Sequence, residues 1–137
     1  MIVLDTNVLS ELMKDSPDEA VYDWLRGNPD RELCATAISA AEIHNGIEQM
    51  PLGRRRRQVR EAAQVAFDVV EEELLSFTAE AGMAYSVVLR DRRRAGLPIG
   101  VLDAQIAAIC LVESAALATR NTADFARTGV ELINPWE

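Results

Sequence analysis

Short apolar runs alternate along the chain with longer segments in which apolar residues recur at helical spacing. The short runs predict strands at residues 1–4, 33–36, 74–77, 117–120 and 130–133. The longer segments predict helices at residues 8–14, 17–26, 39–50, 54–72, 79–94 and 101–112, with Ser16 as the cap of the second helix and Pro17 at its first position. This alternation is typical of βαβ units around a parallel sheet. We therefore expect an α/β fold, a single domain over residues 1–137 with five short parallel strands flanked by helices.

Composition and charge exclude several classes of protein. The 137 residues include 22 acidic and 14 basic side chains, whereas domains that coat nucleic acid through bulk charge are usually strongly basic. The first residues leave no room for a secretory signal and no apolar run is long enough to span a bilayer, so we expect a cytoplasmic protein without a membrane partner. His44 is the only histidine, which excludes mechanisms that need two. Cys34 and Cys110 lie in apolar segments and are expected to be reduced thiols in the core.

Four carboxylates are predicted to meet at one edge of the sheet. Asp5 directly follows the first strand, and Glu42 lies in the first turn of the helix after the second strand. Asp103 opens the apolar helix, and Asp124 follows the next strand by a few residues. Ligands of parallel α/β sheets bind beyond the carboxyl ends of the strands, so this edge is the candidate site.

Each of these carboxylates also has a purely structural interpretation. Ser39 and Glu42 fit a capping box, Asp103 complements a helix dipole, and Asp5 and Asp124 fit turns. Together, however, they repel one another, because two carboxylates about 5 Å apart cost roughly 3 kcal/mol at an effective dielectric constant of about 20. A divalent cation relieves that repulsion, and carboxylate oxygens suit Mg²⁺ or Mn²⁺ better than zinc.

Four segments resemble, in order and spacing, the motifs of PIN-domain ribonucleases. They are Ile2-Val3-Leu4-Asp5-Thr6-Asn7, Ser39-Ala40-Ala41-Glu42, the stretch from Gly96 to Ala108 and the stretch from Ala118 to Phe125. The resemblance covers residues 1 to about 134, and the opening segment is most similar to the VapC or FitB type of toxin from bacterial toxin–antitoxin pairs. It implies a single PIN-like domain that acts as a Mg²⁺- or Mn²⁺-dependent endoribonuclease.

The resemblance also implies roles for individual residues. The catalytic and metal-binding residues would be Asp5, Glu42, Asp103 and Asp124, and the supporting residues Thr6, Asn7 and Ser39. No side chain in these segments has the character of a covalent nucleophile, so the attacking group would be a water activated by the metal. Hydrolysis of this kind would leave a 5′-phosphate.

Three partners follow from the same resemblance: an RNA substrate, a cognate antitoxin and a second copy of the chain in a homodimer. An arginine from a basic segment of the antitoxin would enter the acidic site in place of the metal. An apolar groove for that segment is predicted at Leu9, Leu12, Met13 and Ile47.

Two clusters of arginines are candidate RNA contacts. The first is formed by Arg54, Arg55, Arg56 and Arg57 with Arg60, and the second by Arg90, Arg92, Arg93 and Arg94. Both could bind phosphates, and both could simply be solvated charge. For the second cluster the structural interpretation is strong, because cations complement a helix C-terminus, whereas the first cluster opposes the dipole at a helix N-terminus.

Two other functions remain open on the sequence. A phosphatase of the haloacid dehalogenase type, another Mg²⁺-dependent phosphoester hydrolase, also places an acid after its first strand, but it needs a second aspartate where this chain has Asn7. A catalytically inactive PIN-like domain that binds RNA or protein would gain nothing from four carboxylates that repel one another.

Overall fold

Short apolar segments form the strands of a parallel sheet. The computed structural model describes residues 1–29, 31–70 and 74–137, in which the strands are β1 (Ile2–Leu4), β2 (Leu33–Cys34), β3 (Ala116–Ala118) and β4 (Leu132–Ile133). They pair in the order β2-β1-β3-β4, and every pairing is parallel. The predicted α/β fold is confirmed. Because β2 and β3 lie on opposite sides of β1, a crevice opens at the carboxyl ends of β1 and β3, where this class of fold binds ligands.

The prediction of five strands is wrong, since the sheet in the described part of the chain has four. The segment predicted as a strand at residues 74–77 pairs through one residue only, in an isolated bridge between Leu75 and Thr36. The backbone of Leu75 makes two hydrogen bonds to the neighbouring segment, at 3.0 and 2.9 Å. The ladder cannot continue because α3 begins at Ala37, directly after the paired residue Thr36.

Six α-helices and one short 3-10 helix connect the strands within the described residues. They are α1 (Thr6–Leu12), α2 (Glu19–Arg26), α3 (Ala37–Glu48), α4 (Arg54–Val69), α5 (Ala79–Arg94), α6 (Val101–Val112) and the 3-10 helix Thr122–Phe125. All six predicted helices are present: α5 and α6 have the predicted bounds, whereas α1 to α4 differ from the prediction at one or both ends. The last residues predicted for α4, 71 and 72, lie outside the described part of the chain.

Two predicted helix caps are wrong. Ser16 does not cap α2; the side chain of Asp18 does, by accepting a hydrogen bond from a backbone N–H in the first turn at 2.9 Å. Ser39 does not open α3 as part of a capping box, because Thr36 caps that helix three residues earlier. Asp, Ser and Thr are all favourable caps, so the sequence alone offered more than one start for each helix.

The sheet has a core on each face. Ile2 and Leu4 of β1 pack into a cluster with helices α1 to α4, whereas Val3 between them packs on the other side with α5 and α6. This alternation is what the two-residue period of a strand requires. Cys34 and Cys110 are buried reduced thiols, as predicted.

The predicted apolar groove is not present. Leu9 and Ile47 are only 0% and 3% exposed, and both belong to the core cluster under α1 to α4. Leu12 and Met13 are partly buried against the same cluster. These side chains hold α1 and α3 on the sheet and are not free for a partner. Among the described helices, none has the length and apolar character needed to cross a membrane.

Candidate active site

An open cavity of about 430 Å³ lies at the carboxyl ends of β1 and β3. Both strands are short, and polar residues follow directly after the end of each strand. The cavity is therefore lined almost entirely by hydrophilic residues: Asp5, Thr6, Asn7, Ser10, Glu11, Lys14, Glu42, Asp103, Arg120, Asn121 and Trp136.

Asp5 is the most deeply buried of the four predicted carboxylates. It follows β1 directly and caps α1, because its Oδ1 accepts a hydrogen bond from the backbone N–H of Thr6 at 2.8 Å. Its Oδ2 accepts from the hydroxyl of Thr119 at 2.8 Å and from the amide of Asn7 at 3.2 Å. The residue is 4% exposed, so these donors fix the orientation of the carboxyl group where solvent scarcely reaches it.

Asn7 connects the two strand ends. Its side-chain amide donates to Asp5 and, at 3.3 Å, to the hydroxyl of Thr119. Its carbonyl oxygen accepts from the backbone N–H of Arg120 at 3.2 Å. The residues after β1 and after β3 are therefore locked together, with Asn7 directly beside Asp5.

Glu42 reaches the cavity from α3. Its Oε1 accepts a hydrogen bond from the hydroxyl of Thr6 at 3.0 Å, and that hydroxyl also lies 2.9 Å from the Oγ of Ser39. Because α3 begins at Ala37, Glu42 lies in its second turn and not in the first turn, where it was predicted. The structure thus brings Thr6 and Ser39 together with Glu42, although Ser39 is not a helix cap.

Asp103 and Asp124 complete the predicted set from the other side of the crevice. Asp103 lies in the first turn of α6 and lines the cavity. Asp124 lies in the 3-10 helix, is exposed and does not line the cavity. The structure therefore gathers three of the four carboxylates around one space, with Asp124 beside them.

The electrostatics of the site reflect both burial and mutual repulsion. Burial raises the pKa of Asp5 above its ordinary value, the hydrogen bonds from Thr119 and Thr6 oppose that rise, and the charges of Glu42 and Asp124 add to it. Burial also raises the pKa of Asp103, to which the charges of Asp5 and Asp124 contribute. Ionised carboxylates are therefore under electrostatic stress here, and a cation would relieve it.

The residues at this site fit a hard divalent cation that keeps part of its water shell. The donors are carboxylate oxygens, which Mg²⁺ and Mn²⁺ prefer. Over the described part of the chain, no three acidic, histidine or cysteine side chains lie close enough together to enclose a metal ion directly. Mg²⁺ in proteins usually binds through one or two carboxylates with several waters, so an open cavity with Asp5 and Asp103 suits it better than a closed cage would.

One important residue behind the site was not expected from the sequence. Arg92 belongs to the second arginine cluster, for which both phosphate binding and solvated charge were open, yet it is only 4% exposed. Its guanidinium donates to the carbonyl oxygens of Ala123 and Ala126 at 3.3 and 2.8 Å, and to that of Pro98 at 3.1 Å. Arg92 therefore connects the loop before α6 to the 3-10 helix. Asp103 lies in α6 and Asp124 in the 3-10 helix.

Other residues that line the cavity were also not expected from the sequence. Glu11, 5% exposed, pairs with Lys14 at 2.7 Å, and Arg120 stacks on Trp136 with its guanidinium carbon 5.2 Å from the ring centroid. Thr119, the main partner of Asp5, is the first polar residue within the strand predicted at residues 117–120, but that signal alone does not show that it meets Asp5. Trp136 gave no such signal, since its role depends on where β4 returns the chain.

The first arginine cluster lies outside the cavity, at the start of α4. Arg56 and Arg60 both bind Glu48 at the end of α3, at 2.6 and 3.0 Å. The hydrogen bond and the charge of Arg56 hold the pKa of Glu48 below its ordinary value. His44 stacks on Phe67, with the ring centroids 5.7 Å apart, and does not line the cavity.

Comparison with known proteins agrees with this architecture. The sequence pattern of the PIN domain matches residues 2–131. The plasmid stability protein StbB of Pseudomonas syringae pv. tomato is 38% identical over 138 aligned residues, covering 100% of this chain and 99% of the relative. The VapC ribonuclease Y4jK of Sinorhizobium fredii is also 38% identical, with 100% and 99% coverage. Toxin FitB of Neisseria gonorrhoeae is 30% identical, with 99% of each chain covered.

Solved structures give the same result. The crystal structure of FitAcB from Neisseria gonorrhoeae superposes with a TM-score of 0.89 at 30% identity, covering 100% of this chain and 99% of the other. The structure of FitAB bound to the IR36 DNA fragment superposes with a TM-score of 0.88 at 29% identity, with 100% and 96% coverage. Sequence pattern, relatives and fold therefore agree that this chain belongs to the PIN-domain family, in the group of the VapC and FitB toxins.

Proposed function

We propose that this protein is a Mg²⁺- or Mn²⁺-dependent endoribonuclease and the toxin of a toxin–antitoxin pair. The observation that carries the proposal is the placing of Asp5, Glu42 and Asp103 around one cavity at the carboxyl ends of β1 and β3. Relatives that align along their whole length are named a VapC ribonuclease and a toxin. The substrate would be an RNA phosphodiester, cleaved within the chain.

In this proposal Asp5 and Asp103 are the principal metal ligands, with Glu42 and Asp124 completing the acidic centre. A divalent cation bound there would lower the pKa of water and stabilise negative charge on the phosphodiester. The buried carboxyl of Asp5 is held by three donors, so it needs no reorganisation when substrate arrives. Glu42 uses Oε1 for Thr6, which leaves its other oxygen for a water in the cavity.

The supporting residues act by orientation. Thr6 positions Glu42, and Ser39 lies against the same hydroxyl. Asn7 holds Asp5 and the chain after β3 in one arrangement. His44 does not line the cavity, so in this proposal proton transfer at the site falls to carboxylates and water.

We further propose a cognate antitoxin and a homodimer as the assembled state. Structures similar to this chain include FitAcB and FitAB from Neisseria gonorrhoeae. An antitoxin segment with an arginine would complement the acidic cavity through charge-assisted hydrogen bonds. Since RNA is the proposed substrate, we assign the protein to the cytoplasm.

Incubation of the purified chain with total cellular RNA tests the nuclease proposal. We expect cleavage with Mg²⁺ or Mn²⁺, none with EDTA, and recovery when Mn²⁺ is added back. The new ends should carry 5′-phosphates, which can be ligated to an adapter without prior phosphorylation. RNA that stays intact under all metal conditions, while still being bound, would favour the alternative of an inactive PIN-like binding domain. Release of phosphate from a small phosphoester with no RNA cleavage would favour a different hydrolase.

A further inference from the structure

Besides its carboxylates, the cavity contains a cation that has no ion-pair partner among the described residues. Two basic residues line it, Lys14 and Arg120. Lys14 is neutralised by an ion pair with the buried carboxylate of Glu11, at 2.7 Å. Arg120 is exposed and forms no ion pair with any residue that the structure describes. An anion that approaches the cavity therefore meets the full charge of Arg120.

Arg120 is held in a defined orientation by an aromatic ring. Its guanidinium carbon lies 5.2 Å from the centroid of Trp136, and Trp136 packs against the core cluster under α1 to α4. A guanidinium stacked on a ring keeps the N–H donors at its edge available, and these match two oxygens of a phosphate. Because the partly buried ring packs against the core, the orientation of the donors is largely set before a ligand arrives.

The backbone of Arg120 is tied to the acidic centre itself. Its N–H donates to the Oδ1 of Asn7 at 3.2 Å, and the amide of Asn7 donates to Asp5 at 3.2 Å. A phosphate bound by Arg120 would therefore be held in register with the carboxylate that we propose as a metal ligand. No comparable link joins the arginines at the start of α4 to the cavity in the described part of the chain.

A cation is needed at this position for an electrostatic reason. The protein has a net charge of −8, and the cavity is lined by the carboxylates Asp5, Glu42 and Asp103. An RNA backbone is repelled by that arrangement unless fixed positive charge at its edge offsets the repulsion. Arginine is well suited, because it forms two parallel charge-assisted hydrogen bonds to one phosphate.

We propose that Arg120, stacked on Trp136, is the residue that binds an RNA phosphate at the mouth of the acidic cavity. The assignment rests on the proposed function and deepens it by naming the group that positions the substrate. Trp136 acts through Arg120 and is a positioning residue.

RNA binding tests the assignment without depending on cleavage. The full-length chain carrying Asp103→Asn is titrated into a short fluorescently labelled RNA of random sequence at several salt concentrations, and anisotropy gives the affinity. Adding Arg120→Ala should weaken binding about tenfold and reduce the salt slope by roughly 0.7 for each phosphate that is no longer bound. Arg120→Lys should lie between the two, because it keeps the charge but has no planar pair of donors.

Matched variants separate this role from general charge effects. Arg31→Ala removes an exposed arginine just before β2, at the opposite end of the sheet from the cavity, and should leave affinity and salt slope unchanged. Trp136→Leu should weaken binding less than Arg120→Ala. The double variant Arg120→Ala with Trp136→Leu should bind as Arg120→Ala does, because the ring acts through the arginine. In the active enzyme, Arg120→Ala should raise KM more than it lowers kcat.

Each outcome decides between the proposals. Equal affinity and equal salt slope for the proteins with and without Arg120 would overturn the assignment of Arg120, even if the wild-type enzyme cleaves RNA. Absence of cleavage by the wild-type enzyme, with Arg120-dependent RNA binding intact, would overturn the nuclease proposal and support the binding role. Absence of any RNA binding would overturn both.

Discussion

Asp5 shows how one residue serves both fold and site. As the cap of α1 it satisfies the first backbone N–H of that helix, and its second oxygen accepts from Thr119 and Asn7. Its position was predictable because it follows a strand of three buried residues. Its main hydrogen-bond partner was not, since Thr119 lies 114 residues further along the chain and meets it only through the pairing of β1 with β3.

Asp103→Asn separates the proposed catalytic role of this carboxylate from its effect on stability. We expect metal-dependent RNA cleavage to fall by at least about 100-fold. Even substitution of residues that only hydrogen-bond to metal ligands commonly lowers metal affinity or activity by roughly 10–100-fold. The cleavage assay with Mg²⁺ measures this effect. Asp68→Asn makes the same chemical change on the exposed side of α4 and should keep full activity.

The same substitution should stabilise the metal-free protein at neutral pH. Because the pKa of Asp103 is raised in the folded state, the stability that its protonated form provides is present below the unfolded pKa and is lost as the pH rises through the folded pKa. Asp103→Asn carries no such loss, so its Tm in EDTA at pH 7 should exceed that of the wild type by roughly 1–3 °C, a small effect because solvent screens this partly exposed group.

Addition of Mg²⁺ should reverse the order of stability. The wild type gains stability by binding the metal, and Asp103→Asn gains less. Thermal unfolding should therefore give a higher Tm for Asp103→Asn than for the wild type in EDTA, and a lower Tm in Mg²⁺. If Asp103→Asn were equally active and responded equally to Mg²⁺, the acidic centre would be assigned wrongly.

At the scale of elements, the position of the acidic centre depends on a buried arginine. Arg92 at the end of α5 holds the loop before α6 and the 3-10 helix through three backbone carbonyls. Its charge also opposes the rise that burial causes in the pKa of Asp103. The sequence could not reveal this, because Arg92 lies in a run of basic residues in which Arg93 and Arg94 are exposed.

Arg92→Met should destabilise the protein and loosen the site. The three carbonyl oxygens would lose the guanidinium that they share as donor, so we expect the free energy of unfolding to fall by about 3 kcal/mol, measured by urea denaturation. Affinity for Mn²⁺, measured by calorimetry below the unfolding transition, should fall as well. Arg92→Lys should recover part of the free energy of unfolding and part of the Mn²⁺ affinity, whereas Arg93→Met should change neither quantity. Unchanged Mn²⁺ affinity in a folded Arg92→Met protein would show that Arg92 does not position the acids.

The sequence pattern predicts the ends of helices and strands less well than their presence, because neighbouring residues offer alternative caps and pairings. The helices were recognisable because their apolar residues recur on one face over several turns. Their starts were less certain, since Ser16 and Asp18, or Thr36 and Ser39, are chemically similar caps. The segment at 74–77 has the composition of a strand, yet its partner segment becomes helix α3 directly after Thr36, so no second residue pairs there.

The arginines at the start of α4 divide into two groups by their contacts. Arg56 joins α4 to α3 through Glu48, whereas Arg54, Arg55 and Arg57 are exposed. We expect substitution of these three by Gln, in the Asp103→Asn protein, to reduce the salt slope of RNA binding by about 0.7 for each phosphate that they bind. Arg56→Gln should lower stability slightly and leave the slope unchanged. An unchanged slope in the triple variant would mean that the cluster is solvated charge.

At the scale of the whole molecule, an acidic protein is proposed to act on a polyanion. The net charge of −8 disfavours non-specific RNA binding, so affinity has to come from local features such as Arg120 and the start of α4. An antitoxin with a basic segment is not repelled in this way, because the negative electrostatic potential of the protein attracts it. The same charge distribution therefore favours inhibition by a protein over indiscriminate binding of RNA.

Because the negative charge attracts a basic antitoxin and disfavours non-specific RNA binding, we expect a specific behaviour in the living cell. Expression of the wild-type chain alone should arrest growth, and expression of Asp103→Asn, which keeps the fold but removes a proposed metal ligand, should not. Coexpression of the gene beside it should restore growth and yield a complex in which the chain is a homodimer, measured by light scattering. Lys or Arg residues of the partner that enter the cavity should be essential for rescue, and their replacement by Ala should release the nuclease. If the wild-type chain cleaves RNA in vitro but is harmless in cells and binds no such partner, the nuclease proposal stands and the toxin proposal fails.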